Sequence, residues 1–321
     1  MSSVLVTGAN GLVGRALCRT LSAHGHNVTA LVRRGDAGLD RLRGVSEWRH
    51  DAADFVGLQE AWPDNLSVAC VVHLAARVHV MRDEAPDPVA AFHATNVEGA
   101  LRVARTAQAR GARRVVFVSS IKAVAESDGG VALDESARPA PLDPYGRSKR
   151  AAEEALWRFG EETGLDIVVV RPPLVYGPGV GANFLQMMNA LWRGVPLPLG
   201  SIDARRSLVY TENLADALMH CALDSRAANA CFHVADAEDF SVAQLLRALG
   251  RHLSKPARLI PVSPVLLRAA GVLTGRTDQI DRLTTSLQVD ASLIGEQLGW
   301  RPPFSVEAGL EATARWYRAT H

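Results

Sequence analysis

Near its start the chain reads Val4-Leu5-Val6-Thr7-Gly8-Ala9-Asn10-Gly11-Leu12-Val13-Gly14, and this segment indicates the architecture of the first half of the chain. The apolar run before the glycines predicts a short buried strand, and apolar residues recur at helical spacing after them. Glycines spaced three apart in this order let the backbone approach a pyrophosphate at the positive end of a helix. The alternative is an ordinary glycine turn. We predict a dinucleotide site made by Gly8, Asn10, Gly11, Leu12, Val13 and Gly14.

A second apolar strand is predicted over 27–32, and its end should meet the ribose next to adenine. Many NAD-binding chains carry a carboxylate there. This chain has Arg33-Arg34 instead, and two guanidinium groups suit the 2′-phosphate of NADP. We expect NADP(H) as the preferred cofactor, with NAD(H) as the alternative if one arginine stacks on adenine. Asp51 and Ala52 come after the next strand and are further candidates for the adenosine end, although Asp51 could equally cap the following segment.

Composition narrows the class of partner. The 321 residues are 48% hydrophobic, with 35 basic and 34 acidic side chains, so the chain as a whole has no charge excess for nucleic acid or an anionic membrane. Four cysteines without metal-type spacing indicate a reducing compartment. With no signal peptide and no long apolar span, we expect a cytoplasmic protein that does not insert into membranes and binds a small molecule. The most apolar late segment, 261–273, is short and contains Arg268, which predicts a helix docked on the protein.

Strand-like apolar runs alternate with helical segments along the first half of the chain. Strands that are hydrophobic throughout indicate a parallel sheet covered by helices on both faces. A helix is predicted from Tyr145 to about Glu162. We predict a doubly wound α/β domain over 1–171, with segments near 206–235 returning to its sheet, and a smaller C-terminal substrate-binding domain mainly over 172–321. The predicted strands are 4–6, 27–32, 69–74, 115–118 and 167–170, with 206–209 and 230–234 returning.

Tyr145 and Lys149 are four residues apart and therefore share a face of the predicted helix. An ammonium group near a phenol lowers the phenol's pKa from about 10, which suits a general acid and base. The pair alone is a weak pattern, because a surface tyrosine beside a solvated lysine gives the same spacing.

Further motifs come after the glycine turn in a definite order. They are His73-Leu74-Ala75-Ala76-Arg77-Val78-His79, Asn96-Val97-Glu98-Gly99, Phe117-Val118-Ser119-Ser120-Ile121-Lys122, Tyr145-Gly146-Arg147-Ser148-Lys149, Arg171-Pro172-Pro173-Leu174-Val175-Tyr176-Gly177-Pro178-Gly179 and Asn183-Phe184. With them the chain resembles the extended short-chain dehydrogenase/reductases, in the NAD-dependent epimerase/dehydratase family that acts on nucleotide sugars. More narrowly, it is similar to bacterial UDP-sugar 4-ketoreductases and UDP-glucose 4-epimerases of surface-polysaccharide synthesis. The resemblance implies a Rossmann-type fold and a homodimer.

The resemblance also implies roles for individual residues. Ser120 would hydrogen-bond the reacting sugar oxygen, Tyr145 would exchange its proton, and Lys149 would hold the nicotinamide ribose. The implied cofactor-binding residues beyond those above are Leu74, Ala75, Ala76, Asn96, Tyr145, Lys149 and Pro172. The implied substrate-binding residues are Ser119, Ser120, Asn183, Phe184, Arg206 and Arg282, the two arginines on the pyrophosphate.

Each of these assignments has a plainer alternative. Ala75 and Ala76 could be packing alanines, Asn96 could cap a helix, and Arg206 could be solvated. No metal is expected, because His73 and His79 have no carboxylate or cysteine to complete a ligand set.

The reaction is predicted from departures from the family pattern. Nucleotide-sugar 4,6-dehydratases carry an Asp-Glu pair directly after the catalytic hydroxyl, because eliminating water needs an extra acid and base. Ile121-Lys122 stands there, so we do not expect dehydration. Because an NADP-type site favours net reduction, we expect hydride transfer to a UDP-4-keto-6-deoxy-(N-acetyl)hexose. The alternatives are 4-epimerisation of UDP-glucose or UDP-GlcNAc and, third, a non-catalytic dinucleotide sensor. In this branch the sequence after Ile-Lys is usually Val-Asn-Gly, whereas this chain has Ala123-Val124-Ala125. This departure lies in the loop after Ser120 and affects how a sugar would fit there.

Overall fold

The structure is a computed structural model and describes residues 2–33, 37–78, 86–275 and 277–321, with the backbone alone for 278 and 279. Its strands are β1 Ser3–Thr7, β2 Asn27–Val32, β3 Val45–Arg49, β4 Cys70–His73, β5 Arg114–Val118, β6 Asp166–Arg171, β7 Leu174–Tyr176, β8 Arg205–Arg206, β9 Leu208–Tyr210, β10 Cys231–His233 and β11 Phe240–Ser241. Its helices are α1 Leu12–Ala23, α2 Leu58–Ala61, α3 Pro88–His93, α4 Gly99–Ala109, α5 Pro144–Thr163, α6 Ala182–Trp192, α7 Thr211–Leu223, α8 Val242–His252, α9 Pro264–Thr274, α10 Thr277–Thr284, α11 Ser292–Leu298 and α12 Val306–Thr320.

Seven strands of the described chain form a parallel sheet in the spatial order β10, β6, β5, β4, β1, β2, β3. The chain moves outward from β1 through β2 and β3, then returns to β4 and continues through β5 and β6 on the other side. This reversal between β1 and β4 defines a doubly wound topology. The predicted Rossmann-type α/β fold is confirmed.

Helices cover both faces of the sheet, which explains why its strands are apolar throughout. On one face α1 and α7 pack together over the sheet, with Leu17 and Leu218 in the core. On the other face α4 and α5 supply Val103 and Leu156 to a second core. None of the helices in the described chain combines the length and the apolar character that a bilayer crossing needs.

The returning segments were predicted only in part correctly. Cys231–His233 joins the main sheet beside β6, as expected. The segment 206–209 does not: β8 pairs antiparallel with β11, and β9 pairs with β7, in two separate two-stranded sheets. β8 has two residues and β9 three, and sequences this short do not indicate which strand they pair with. The segment around Val289 contacts the link between them, where Val289 N–H donates to Ser207 Oγ at 2.9 Å.

The C-terminal part has an apolar core of its own. Helices α6, α8 and α12 pack around Tyr176, with Phe184, Leu246 and Leu310 buried among them. A separate core supports the proposed division into a dinucleotide-binding domain over 1–171 and a smaller substrate domain over 172–321.

Candidate active site

The predicted site residues cluster at one edge of the main sheet. Ligands of open α/β sheets bind beyond the carboxyl ends of the strands, at the point where strand order reverses. In this sheet that point lies between β1 and β4. The residues just beyond the ends of β1 to β6 at this edge are the glycine turn, Arg33, Asp51 and Ala52, Leu74 to Ala76, Ser119 and Ser120, and Pro172.

The glycine turn leaves room for backbone but not for side chains. Gly8 has a φ of 65°, and a Cβ there would lie 2.9 Å from the Ala75 nitrogen. A Cβ on Gly14 would lie 2.3 Å from the Gly8 oxygen. Gly11 caps α1 without a side chain, so the first N–H groups of this 12-residue helix face the edge where a phosphate would sit. The cradle fits the pyrophosphate of a dinucleotide.

His73 has a structural role beside this turn. Its Nδ1 lies 2.8 Å from Thr7 Oγ1, which also accepts from Ala75 N–H at 3.3 Å. Burial is the larger cause and the charge of Lys149 the smaller cause of a pKa of His73 lowered to about 3, so the imidazole is neutral. His79 lies outside the described residues.

Ser120 and Tyr145 meet beyond the end of β5. Burial, followed by the charge of Asp143, raises the pKa of Tyr145 to about 12, and a hydrogen bond with the Ser120 side chain opposes this rise. Asp143 begins α5 by accepting from Gly146 N–H at 2.6 Å, and it also pairs with Lys122 Nζ at 2.5 Å. The turn after Ser120 and the start of α5 therefore form one unit that places the phenol against the hydroxyl.

Lys149 lies one helical turn beyond Tyr145 and points towards β5. Its Nζ donates to the Val118 oxygen at 2.8 Å and lies 4.5 Å from the centroid of the Phe117 ring. Burial lowers the pKa of Lys149 to about 7, against the opposing charge of Glu153. We expected Lys149 to lower the pKa of Tyr145, but without a bound dinucleotide it does not. Burial makes the largest contribution to the pKa of each group, raising that of Tyr145 and lowering that of Lys149.

The lowered pKa of Lys149 predicts a pH dependence of stability. In the unfolded chain this lysine stays protonated up to its ordinary pKa of 10.5, whereas in the folded chain it loses its proton near 7. The free energy of unfolding should therefore rise between these pH values, because the unfolded state binds more protons. Urea denaturation of the dinucleotide-free protein at about pH 7 and about pH 9.5 should show a larger rise than in Lys149→Met. Equal rises in the two proteins would contradict a buried, neutral Lys149.

Ser119 and Phe184 were predicted as substrate-binding residues, and the structure places both side chains in buried contacts with other residues of the protein. Ser119 is buried, and its Oγ donates to Glu153 Oε1 at 2.5 Å. Phe184 is buried in the C-terminal core, stacked on Tyr176 with ring centroids 5.6 Å apart.

Sequence reasoning missed Glu153, which holds the catalytic strands and helix together. It is fully buried on α5 and accepts from Ser119 Oγ and from two nitrogens of the Arg171 guanidinium, Nε at 2.9 Å and Nη2 at 2.7 Å. A signal was present, because Tyr145, Lys149 and Glu153 recur every four residues on one helix face. A carboxylate on a face that otherwise enters the core requires a partner.

Asn96 lies in a π-helical turn, Ala94–Glu98, and bridges two parts of the site. Its Oδ1 accepts from Arg77 N–H at 2.7 Å, and its Nδ2 donates to the Arg77 oxygen at 3.0 Å and to Ser148 Oγ at 2.9 Å. Ser148 Oγ in turn donates to the main-chain oxygen of Tyr145. These contacts support a role for Asn96 in holding the segment after β4 against α5.

Comparison with known proteins identifies the family. The profile described as "NAD dependent epimerase/dehydratase family" matches residues 4–235. The chain belongs to this family. It is 38% identical over 316 residues to a UDP-glucose 4-epimerase of Vibrio cholerae, which covers 98% of this chain and 94% of that protein. It is 32% identical over 313 residues to a 3-diazoavenalumate denitrifying reductase of a Streptomyces species, with 93% and 95% covered. The crystal structure of the Thermotoga maritima UDP-glucose 4-epimerase with UDP-glucose shares its fold, with a TM-score of 0.79 at 23% identity and 99% of both chains covered.

The described residues predicted for the adenosine end of a dinucleotide are accessible to solvent. Arg33 is exposed directly after β2, and Asp51 is exposed after β3 with Ala52 half-buried beside it. Arg34 lies outside the described residues. Near the opposite end, Pro172 is buried, and its oxygen accepts from Ile121 N–H at 3.0 Å.

The residues predicted for the substrate end lie on β8, α6 and α10. Arg206 donates to the Arg282 oxygen and, at 3.1 Å, to the Thr285 oxygen. Burial, followed by the charge of Arg282, lowers the pKa of Arg206. Burial on its own would raise the pKa of Asp143, but hydrogen bonds from Lys122 and Gly146 lower it by more. The charge of Arg282 adds a further, smaller lowering of the same pKa. Arg206 and Arg282 are therefore near each other, and Arg282 is near the start of α5. Asn183 is exposed in the first turn of α6.

Proposed function

We propose that the chain catalyses hydride transfer at C4 of a UDP-sugar, and that its reaction is 4-epimerisation of a UDP-hexose. The supporting observation is that the side chains of Ser120 and Tyr145 come together at the carboxyl edge of the sheet, two strands from the glycine turn. When bound there, a nicotinamide dinucleotide supplies and accepts the hydride.

The chain's own residues handle the proton. Tyr145 exchanges a proton with the sugar oxygen at C4, and Ser120 holds that oxygen by a hydrogen bond. Because burial raises the pKa of Tyr145 to about 12, the phenolate needs a nearby positive charge. Lys149, one helical turn along α5, supplies this charge in its protonated form, and because burial lowers its pKa to about 7 that form predominates only below this pH.

Reduction of a UDP-4-keto-6-deoxy-(N-acetyl)hexose is the second candidate. The relative from Vibrio cholerae favours epimerisation, whereas the exposed Arg33 favours net reduction with NADPH. Ile121-Lys122 stands where a dehydratase needs an acid and a base, so neither candidate includes elimination of water.

A substrate panel distinguishes the two reactions. The protein is incubated with UDP-glucose, UDP-GlcNAc or a UDP-4-keto-6-deoxy-hexose, each with NAD⁺, NADH or NADPH, while nicotinamide absorbance and sugar products are followed. Interconversion of UDP-hexoses without net cofactor use supports the epimerase. Oxidation of NADPH with the keto substrate alone supports the reductase. Tight binding of dinucleotide and UDP-sugars without any turnover would indicate a non-catalytic sensor and overturn both.

Replacing Arg206 with Ala is expected to weaken UDP binding by about 10- to 100-fold, because a charge-assisted hydrogen bond contributes about 1.5–3 kcal/mol. Titration calorimetry with UDP measures the affinity directly. Arg205→Ala is the matched control, since Arg205 is the exposed neighbour on the other face of β8 and should leave UDP affinity unchanged. Equal affinities in the two variants would exclude Arg206 from the diphosphate site.

A cytoplasmic location is proposed from the pattern of the cysteines, and a homodimer from the family resemblance. Light scattering during size-exclusion chromatography tests the dimer, and a mass of one chain would contradict it.

A further inference from the structure

Helix α9 turns its apolar residues outward. Val265 is 72% exposed, Leu266 64%, Val272 68% and Leu273 87%. Only Leu267 and Gly271 face inward, where a Cβ on Gly271 would lie 2.8 Å from Ile280 Cδ1 of α10. The sequence predicted a helix docked on the protein, and docking is confined to this narrow inner edge.

The outward residues form one continuous surface. At 3.6 residues per turn, Val272, Val265, Ala269, Leu273 and Leu266 lie side by side around an arc of about 120°. We call this arc the α9 face. An exposed helix in water normally places polar residues on its outer side. A contiguous apolar surface of this kind marks an interaction site, because leaving aliphatic side chains in water is unfavourable.

Local charge favours a membrane as the occupant. The chain as a whole is nearly neutral, but residues 255–282 contain five basic residues and two acidic ones. Arg268 borders the α9 face with its side chain 53% exposed, 3.7 Å from Asp281. Apolar residues flanked by an excess of arginine and lysine are typical of helices that lie in the interface of an anionic bilayer.

A second copy of the chain is a poorer fit to the same face. A stable protein–protein interface takes roughly 20–30 residues from each partner. Helix α9 has 11 residues, of which five form the apolar arc. Shallow burial in lipid needs no complementary protein surface and suits a small, convex, protruding helix.

From these observations we propose that the α9 face docks the protein on an anionic lipid surface without crossing it. This proposal does not rest on the reaction proposed above. It has a structural consequence, since α9 packs on α10, which carries Arg282 beside Arg206. Docking would hold the substrate end of the site close to the membrane.

The test is flotation of the purified full chain with vesicles of phosphatidylglycerol and phosphatidylethanolamine, compared with vesicles of phosphatidylcholine alone. The protein should float with the anionic vesicles. The double variant Leu266→Gln, Leu273→Gln should lose at least about tenfold in partition coefficient, since each leucine contributes its own burial. Val56→Gln, Val131→Gln is the matched control, because these residues are 55% and 75% exposed elsewhere on the molecule. Thermal melting confirms that both variants are folded.

Three results would overturn the proposal. The wild-type protein could fail to float with anionic vesicles at low salt. Both double variants could float as well as the wild type. Finally, the wild type could form a dimer in light scattering that the leucine variant dissociates, without vesicle binding, which would assign the α9 face to a second copy.

Discussion

Tyr145→Phe should lower kcat by about 10²- to 10⁴-fold, the range lost when a general acid or base is removed. The phenylalanine keeps the ring and its edge contact with Phe92, whose centroid lies 6.2 Å away, but it cannot exchange a proton. Cofactor affinity should change little, because the glycine turn and Lys149 are untouched. Steady-state kinetics with the substrate identified by the panel, together with dinucleotide titration, measure the two effects separately.

Tyr317→Phe controls for the loss of a phenol as such. Tyr317 is also buried, and its hydroxyl donates to Asn189 Oδ1 at 2.6 Å, far along the chain from the catalytic helix. This variant should lose some stability and keep its kcat. Wild-type turnover in Tyr145→Phe would remove the phenol from the mechanism.

The fold was predictable because its signals are local. Apolar runs such as Ile167 to Val170 are stable as strands when both faces are buried. Gly14 is required by contacts within the first turn itself, because a Cβ there would meet Gly8 and Ala9. The position of Ser120 and Tyr145 at one edge could be inferred from the parallel strands.

The side-chain details of the site were less predictable. Successive residues of extended chain point in opposite directions, so Ser119 and Ser120 could not both face the substrate. The structure turns Ser119 towards Glu153 and Ser120 towards Tyr145. The spacing of Tyr145 and Lys149 indicated that they share a helix face, but it could not show that burial would raise one pKa and lower the other, because solvation depends on tertiary packing.

The ion pair of Glu153 and Arg171 is the most buried charge pair among the described ion pairs. The side chains are 0% and 5% exposed, and the two hydrogen bonds between them are bidentate. Such a pair adds little stability relative to apolar residues of the same volume, because both ions lose their hydration. Removing one partner is far more costly, because it leaves the other charge buried without compensation.

Glu153→Ala should therefore lower the free energy of unfolding by about 3–5 kcal/mol, with Arg171 left as an unpaired buried cation. Urea denaturation monitored by circular dichroism measures the change. Glu154→Ala is the matched control on the same helix, because Glu154 is 53% exposed and pairs with Arg150 at 2.7 Å, so its loss should cost less than about 1 kcal/mol. Equal destabilisation of the two variants would mean that water reaches Arg171 when Glu153 is removed. It would also mean that the contacts of Glu153 with Ser119 and Arg171 do not hold the ends of β5 and β6 in place.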